Sequence, residues 1–297
     1  MPGKKHPILI AVIILAIIVL FLGGIMALIL SFSGSSSRLA FGDRIGVIPL
    51  EGPIMDSEPI LSQLVDFRKD DRIKVIILRI DSPGGGVAPS QEIYREVRRT
   101  AETKKVIASL GSLAASGGYY VASAADKIVA NPGTITGSIG VIMEFLQLED
   151  LFKKIGINLE VLKSGEFKDI GSPHREMSKR EKALIEALIS DVQAQFVDAV
   201  ATGRGLPVEK VMEVADGRIF TGAKAKELGL VDSLGNFQDA VQLAKEMAQI
   251  RGEATMVYPA KPRLKIWNLI FQNAAKSLVR TLKENLGGGI EYRWDGF

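Results

Sequence analysis

The chain has 297 residues, 47% of them hydrophobic, a formal charge of +3, no cysteine and two histidines. Without cysteine it has neither disulfides nor thiolate metal sites, and its stability must come from packing. His6 precedes a long apolar span, so only His174 is available to a folded domain and a histidine-based hydrolase is poorly supplied.

Residues 8–30 carry no charge and as a helix would extend roughly 34 Å, the thickness of a hydrocarbon core. That is longer than the apolar part of a cleavable leader, about 7 to 15 residues. The reading is a tail over 1–7 and a retained transmembrane anchor over 8–31. Lys4 and Lys5 set the tail in the cytoplasm. Everything after the anchor would then lie outside the cytoplasmic (inner) membrane, in a single-pass topology. Residues 32–42, including S-G-S-S-S, read as a linker.

A domain is expected over 43–257. Val- and Ile-rich strands at 44–50 and 74–80 flank helical periodicity from Ile60 to Phe67, a βαβ pattern. A helix at about 89–103, a strand at 106–110, a helix from Ser116 and a strand at 127–130 continue it, followed by another helix and a strand at 159–162. Such alternation predicts an α/β fold with a largely parallel sheet and function in loops at strand ends. Ser178 followed by Glu181 has capping-box spacing and opens a helix to about Ala201. Further helices reach about 250, and a last strand is expected near 256–259. Residues 258–297 form a basic, amphipathic segment. Within it, 261–297 hold seven Lys or Arg against three acids. An interfacial helix or packing on protein would each suit its apolar face. With this segment and the two N-terminal lysines set aside, the middle is slightly acidic, against a nucleic-acid surface.

The chemistry concentrates in G-S-L-A-A-S-G-G-Y-Y at 111–120 and K-S-G-E-F-K-D at 163–169. A serine hydroxyl becomes a nucleophile when a base takes its proton, and a lysine held neutral by desolvation or like charge can be that base. Ser116 and Lys168 are the candidate catalytic pair. The Gly117 amide at a helix start, and the Gly85 amide in D-S-P-G-G-G at 81–86, are candidate oxyanion donors. Ser138 in T-G-S-I-G is a candidate to orient the lysine. D-S-P-G-G-G lacks the G-K-[S/T] ending of a phosphate loop. His174 reads as a loop residue, and Asp81, Arg175 and Glu176 as structural. No ligand cluster for a metal is visible, and no cofactor is expected.

These four motifs, in this order, resemble the short bacterial form of the signal peptide peptidase A family. Its members are Ser-Lys peptidases with a Clp protease/crotonase-like fold of repeated ββα-type units. The similarity covers about 43–250. It implies Ser116 as nucleophile, Lys168 as general base, Ser138 in support, and Gly85 and Gly117 as the oxyanion hole. It also implies a homo-oligomeric ring at the membrane acting on signal peptides or unfolded apolar peptides. A crotonase-type acyl-CoA enzyme and a non-catalytic peptide- or membrane-binding scaffold are the alternatives.

Overall fold

The computed structural model describes residues 15, 17–24, 43–260 and 291–293. The chain divides into two compact units, Met1–Gly42 and Asp43–Phe297. The single-pass topology expected from 8–31, with the catalytic domain outside the cytoplasmic membrane, is corrected here. Among the described residues no helix is long and apolar enough to cross a membrane. The remainder of 8–31, and most of the basic 258–297 segment, lie outside the described residues.

The second unit opens with β1 (Arg44–Glu51), α1 (Glu58–Lys69), β2 (Ile73–Ser82), β3 (Gly84–Gly86), α2 (Val87–Ala101) and β4 (Lys105–Ala115). It continues through α3 (Gly117–Ala122), β5 (Lys127–Ala130), β6 (Ile135–Gly137), α4 (Glu149–Lys154) and α5 (Lys179–Arg204). Then come α6 (Val208–Met212), β7 (Ile219–Thr221), α7 (Gly222–Glu227), β8 (Ser233–Leu234), α8 (Phe237–Met247), β9 (Thr255–Val257) and β10 (Glu291–Arg293).

The main sheet is mixed and follows the order β7-β6-β4-β2-β1-β9, with β5 on β4 and β8 on β5. Its pairs are parallel except β6 with β7. Strand β4 is long enough to serve two partners, holding β5 along Ile107–Ser109 and β6 along Leu113–Ala115. The central strands alternate between two covered faces, as parallel sheets require. Ile76, Leu78 and Ile80 of β2 join a core with residues of α1, α2, α3 and α5, whereas Val75 and Ile77 pack on the Ala240 and Ala244 face of α8.

Helix α5 starts where its capping box predicts: Glu181 N donates to Ser178 Oγ at 3.2 Å, and Ser178 N to a Glu181 carboxylate oxygen at 2.7 Å. The strand expected at 159–162 does not form, and Leu159, Val161 and Leu162 are exposed. Strand β7, from well downstream, takes the edge of β6.

Near the end of α5, Gly203 meets the C-terminal turn of α3. A methyl there would lie 2.0 Å from the Ser123 carbonyl oxygen. Helix propensity alone favours alanine by about 1 kcal/mol, but overpacking against immobile backbone costs about 1–3 kcal/mol. Gly203→Ala is therefore expected to destabilise the protein, seen as a lower urea midpoint at unchanged m-value.

Candidate active site

Three neighbouring parallel strands, β2, β4 and β6, deliver the expected site residues at their carboxyl ends, where open α/β sheets carry ligands. Strand β2 runs into the Gly84–Gly86 turn, β4 into Ser116 and β6 into Ser138. Ala115 pairs with Gly137, so Ser116 and Ser138 are the next residues on adjacent strands at one level.

Ser116 joins β4 to α3 with φ 52° and ψ −120°, a conformation that side chains disfavour. It is fixed from both sides: Ser116 N donates to Gly137 O, and Tyr120 N to Ser116 O, each at 2.8 Å. The residue is 1% exposed, and among the described residues its Oγ has no hydrogen-bond partner. Ser138 also has a positive φ, 49°, and its amide donates to Arg218 O at 2.8 Å.

The glycine turn reaches this serine because neither side has a Cβ at the contact. A methyl on Gly117 would lie 3.2 Å from the Gly85 amide nitrogen and 2.6 Å from Ser90 Oγ. One on Gly118 would lie 2.8 Å from Ser82 O. Gly85 itself, at φ 155°, backs onto Ile54, with Ile54 N donating to Gly84 O and Gly86 N to Ile54 O, each at 2.8 Å. The Gly85 and Gly117 amides are thus neighbours beside Ser116. Two amides next to a buried hydroxyl at a helix start can carry the oxyanion of an acyl transfer.

Sequence reasoning missed the scaffold of this turn. Ser82 Oγ accepts from Gly84 N at 3.1 Å and donates to Gly52 O at 2.7 Å, and Ser90 Oγ donates to Gly86 O at 2.9 Å. A serine just before P-G-G was the available signal. Asp81, read as structural, accepts from Leu113 N at 3.2 Å where β4 departs from regular register with β2.

Among the described residues no bond joins Lys168 to this group. It is exposed, in a turn closed by Lys168 N donating to Gly165 O at 3.2 Å. His174 lines a separate cleft of about 150 Å³ with Glu149, Phe152 and Lys153. Arg175, also read as structural, sits between two carboxylates described below. Among the described residues no cluster of His, Cys, Asp and Glu could hold a metal.

Residues 98–251 match the sequence model of Peptidase family S49, and residues 40–134 that of Clp protease. A putative protease of Synechocystis sp. is 44% identical over 232 residues, 77% of this chain and 82% of that protein. The chloroplastic serine protease SPPA of Arabidopsis thaliana is 35% identical over 278 residues, 90% of this chain and 40% of that protein. A putative signal peptide peptidase SppA of Enterococcus faecium is 38% identical over 202 residues, 67% of this chain and 58% of that protein. The resemblance drawn from the motifs holds, and the α/β fold with its mixed sheet is Clp protease-like.

A methyl on Gly85 would lie 2.4 Å from Ile54 O, so alanine there must shift β3 against Ile54 and displace the Gly85 amide. Gly85→Ala is expected to slow fluorophosphonate labelling of Ser116 by about 100-fold or more, the scale of losing one oxyanion donor. Rates of adduct formation followed by mass spectrometry on the two proteins give the comparison.

Proposed function

Because the chain belongs to peptidase family S49, we propose that it is a serine endopeptidase whose Ser116–Lys168 dyad cleaves extended apolar peptides, released signal peptides among them. The observation that carries this reading is the buried Ser116 Oγ, without a partner, beside the neighbouring Gly85 and Gly117 amides.

In the proposed reaction the Lys168 amine takes the Ser116 proton as Oγ attacks the peptide carbonyl carbon. The Gly85 and Gly117 N–H groups bear the oxyanion. On collapse the C–N bond breaks, the ammonium returns its proton to the leaving amine, and an acyl-serine remains. Lys168 then activates a water to release the acid, with Ser138 orienting the amine. No cofactor enters.

Strand β3 supports an extended substrate. Its edge pairs antiparallel with β10, Tyr292 standing opposite Gly85 in the register, and a substrate would take the place of β10 there. A peptide added in this way contributes backbone hydrogen bonds whatever its side chains.

The segment that leads to Lys168 exposes Leu146, Leu151, Ile155, Ile157 and Leu159. An apolar run of this extent favours cover by a partner surface. The reading that follows is a ring of copies in which the covered segment brings Lys168 to Ser116 of the adjoining chain. The Enterococcus faecium relative, named a putative signal peptide peptidase SppA, supports the substrate class.

Incubating the full chain with a synthetic signal peptide, and following products by mass spectrometry, tests this. The parent is expected to cleave, and Ser116→Ala and Lys168→Ala are not. Mixed and reassembled, the two variants should recover roughly a quarter of parental activity, the share of interfaces that random closed assembly leaves intact. A folded parent that cleaves nothing would instead be a peptide-binding scaffold.

A further inference from the structure

No residue from 141 to 180 is buried, so apolar packing, such as that of Phe145 on Gly171, gives Lys168 only partial support. Charged contacts supply the rest. We infer that Arg175 is a positioning residue for the base: its guanidinium fastens Asp169, the residue after Lys168, to Glu181 in the first turn of α5. This rests on the dyad reading above.

The geometry is a double fork. Arg175 Nε and Nη2 donate to the two Asp169 carboxylate oxygens at 2.8 and 2.7 Å. Its Nη1 and Nη2 donate to the two Glu181 oxygens at 2.9 and 2.5 Å. Lys163 Nζ adds a bond to Asp169 at 2.6 Å, and donates to Glu166 O at 2.9 Å within the same turn. The bond from Arg175 and then that from Lys163 hold the Asp169 carboxyl well below the usual carboxylate range. Glu181 is anchored independently, because it also accepts from Ser178 N in the capping box.

The clamp is not an ordinary surface pair. The side chains of Glu181 and Asp169 are only 3% and 10% exposed, whereas freely exposed pairs contribute little. Arginine can grip both carboxylates through paired bonds at once, since its planar fork presents five donors in fixed directions whereas lysine is a point charge. The chain therefore runs from a rigid element, the capped start of α5, through Glu181, Arg175 and Asp169 to Lys168. A displacement of about 1 Å at a reacting group can lower a rate about 100-fold.

The test uses full-length parent, Arg175→Lys, Arg175→Gln, Asp169→Asn and the double variant Asp169→Asn/Arg175→Gln, with kcat and KM for one synthetic signal peptide. Arg68→Gln serves as the control for lost stability, because Arg68 pairs with Glu96 between α1 and α2. Expected are a fall in kcat of tenfold or more for Arg175→Gln and Asp169→Asn at unchanged KM, and no further loss in the double variant. Arg175→Lys should recover only part of the rate. Arg68→Gln should lose thermal stability and keep kcat. Should Arg175→Gln not fold, Arg175→Lys and Asp169→Asn carry the comparison. Undiminished kcat in these variants, with lowered thermal stability alone, would overturn the inference while leaving the dyad intact. A parent that does not cleave overturns the dyad reading and this inference with it.

Discussion

The site depends on one steric constraint: two backbone turns touch with no Cβ between them. Gly117 meets the Gly85 nitrogen and Ser90, and Gly118 meets the Ser82 carbonyl, at separations a methyl would violate. Glycine is the residue whose backbone can approach another this closely. The contact brings the Gly85 nitrogen close to Gly117, the residue that follows Ser116 at the β4 to α3 turn. Lengthening either turn side chain would separate donors from nucleophile before it touched any substrate.

Two regimes of stability meet around this site. The strands that bear Ser116, Ser138 and the glycine turn have Ile76, Ile77, Leu78, Ile80 and Leu110 at 0 to 1% exposure and are fixed by packing. Residues 141–180 contain no buried residue and lean heavily on charged and polar contacts, which yield to salt and to protonation. The Arg175 bond and the Ser178 amide hold Glu181 down to about 2. A carboxyl lowered in this way contributes fully above its unfolded value, about 4.3, and loses that contribution as pH falls from there through its folded one. Acid therefore loosens the segment bearing the base at a pH where the apolar packing under Ser116 has no charge to lose.

Legibility in the sequence followed the same division. The α/β alternation, the K-I-V-A strand and the capped start of α5 were readable because burial and capping impose local patterns on residues such as Ile128 and Ser178. The short strands β3, β6 and β7 were not. Three-residue strands contain too little periodicity, and their partners lie far away in sequence. Val- and Leu-bearing residues 159–162 looked like a strand, yet apolar residues alone do not supply a pairing partner, and all four are exposed. Ser116 was legible from its glycine surroundings. Arg175 was read as structural, but its clamp was not legible, because nothing local ties it to Asp169 and Glu181 until Glu181 is seen buried and capping the helix.

What singles out Ser116 energetically is that two costs fall on one residue. A non-glycine side chain at φ 52° costs on the order of 1–3 kcal/mol, and a buried hydroxyl without a partner costs roughly 1–3 kcal/mol more. Replacing the serine by glycine would relieve both, in a domain whose whole stability is on the order of 5–15 kcal/mol. The surroundings enforce the strain instead, with Gly137 O and the Tyr120 amide locking the turn on either side. A packing serine at this position would be expected to use its hydroxyl to cap the first turn of α3, and this one makes no side-chain cap bond. An Oγ held under strain, and kept from its own helix, remains available to a group that arrives from outside the chain.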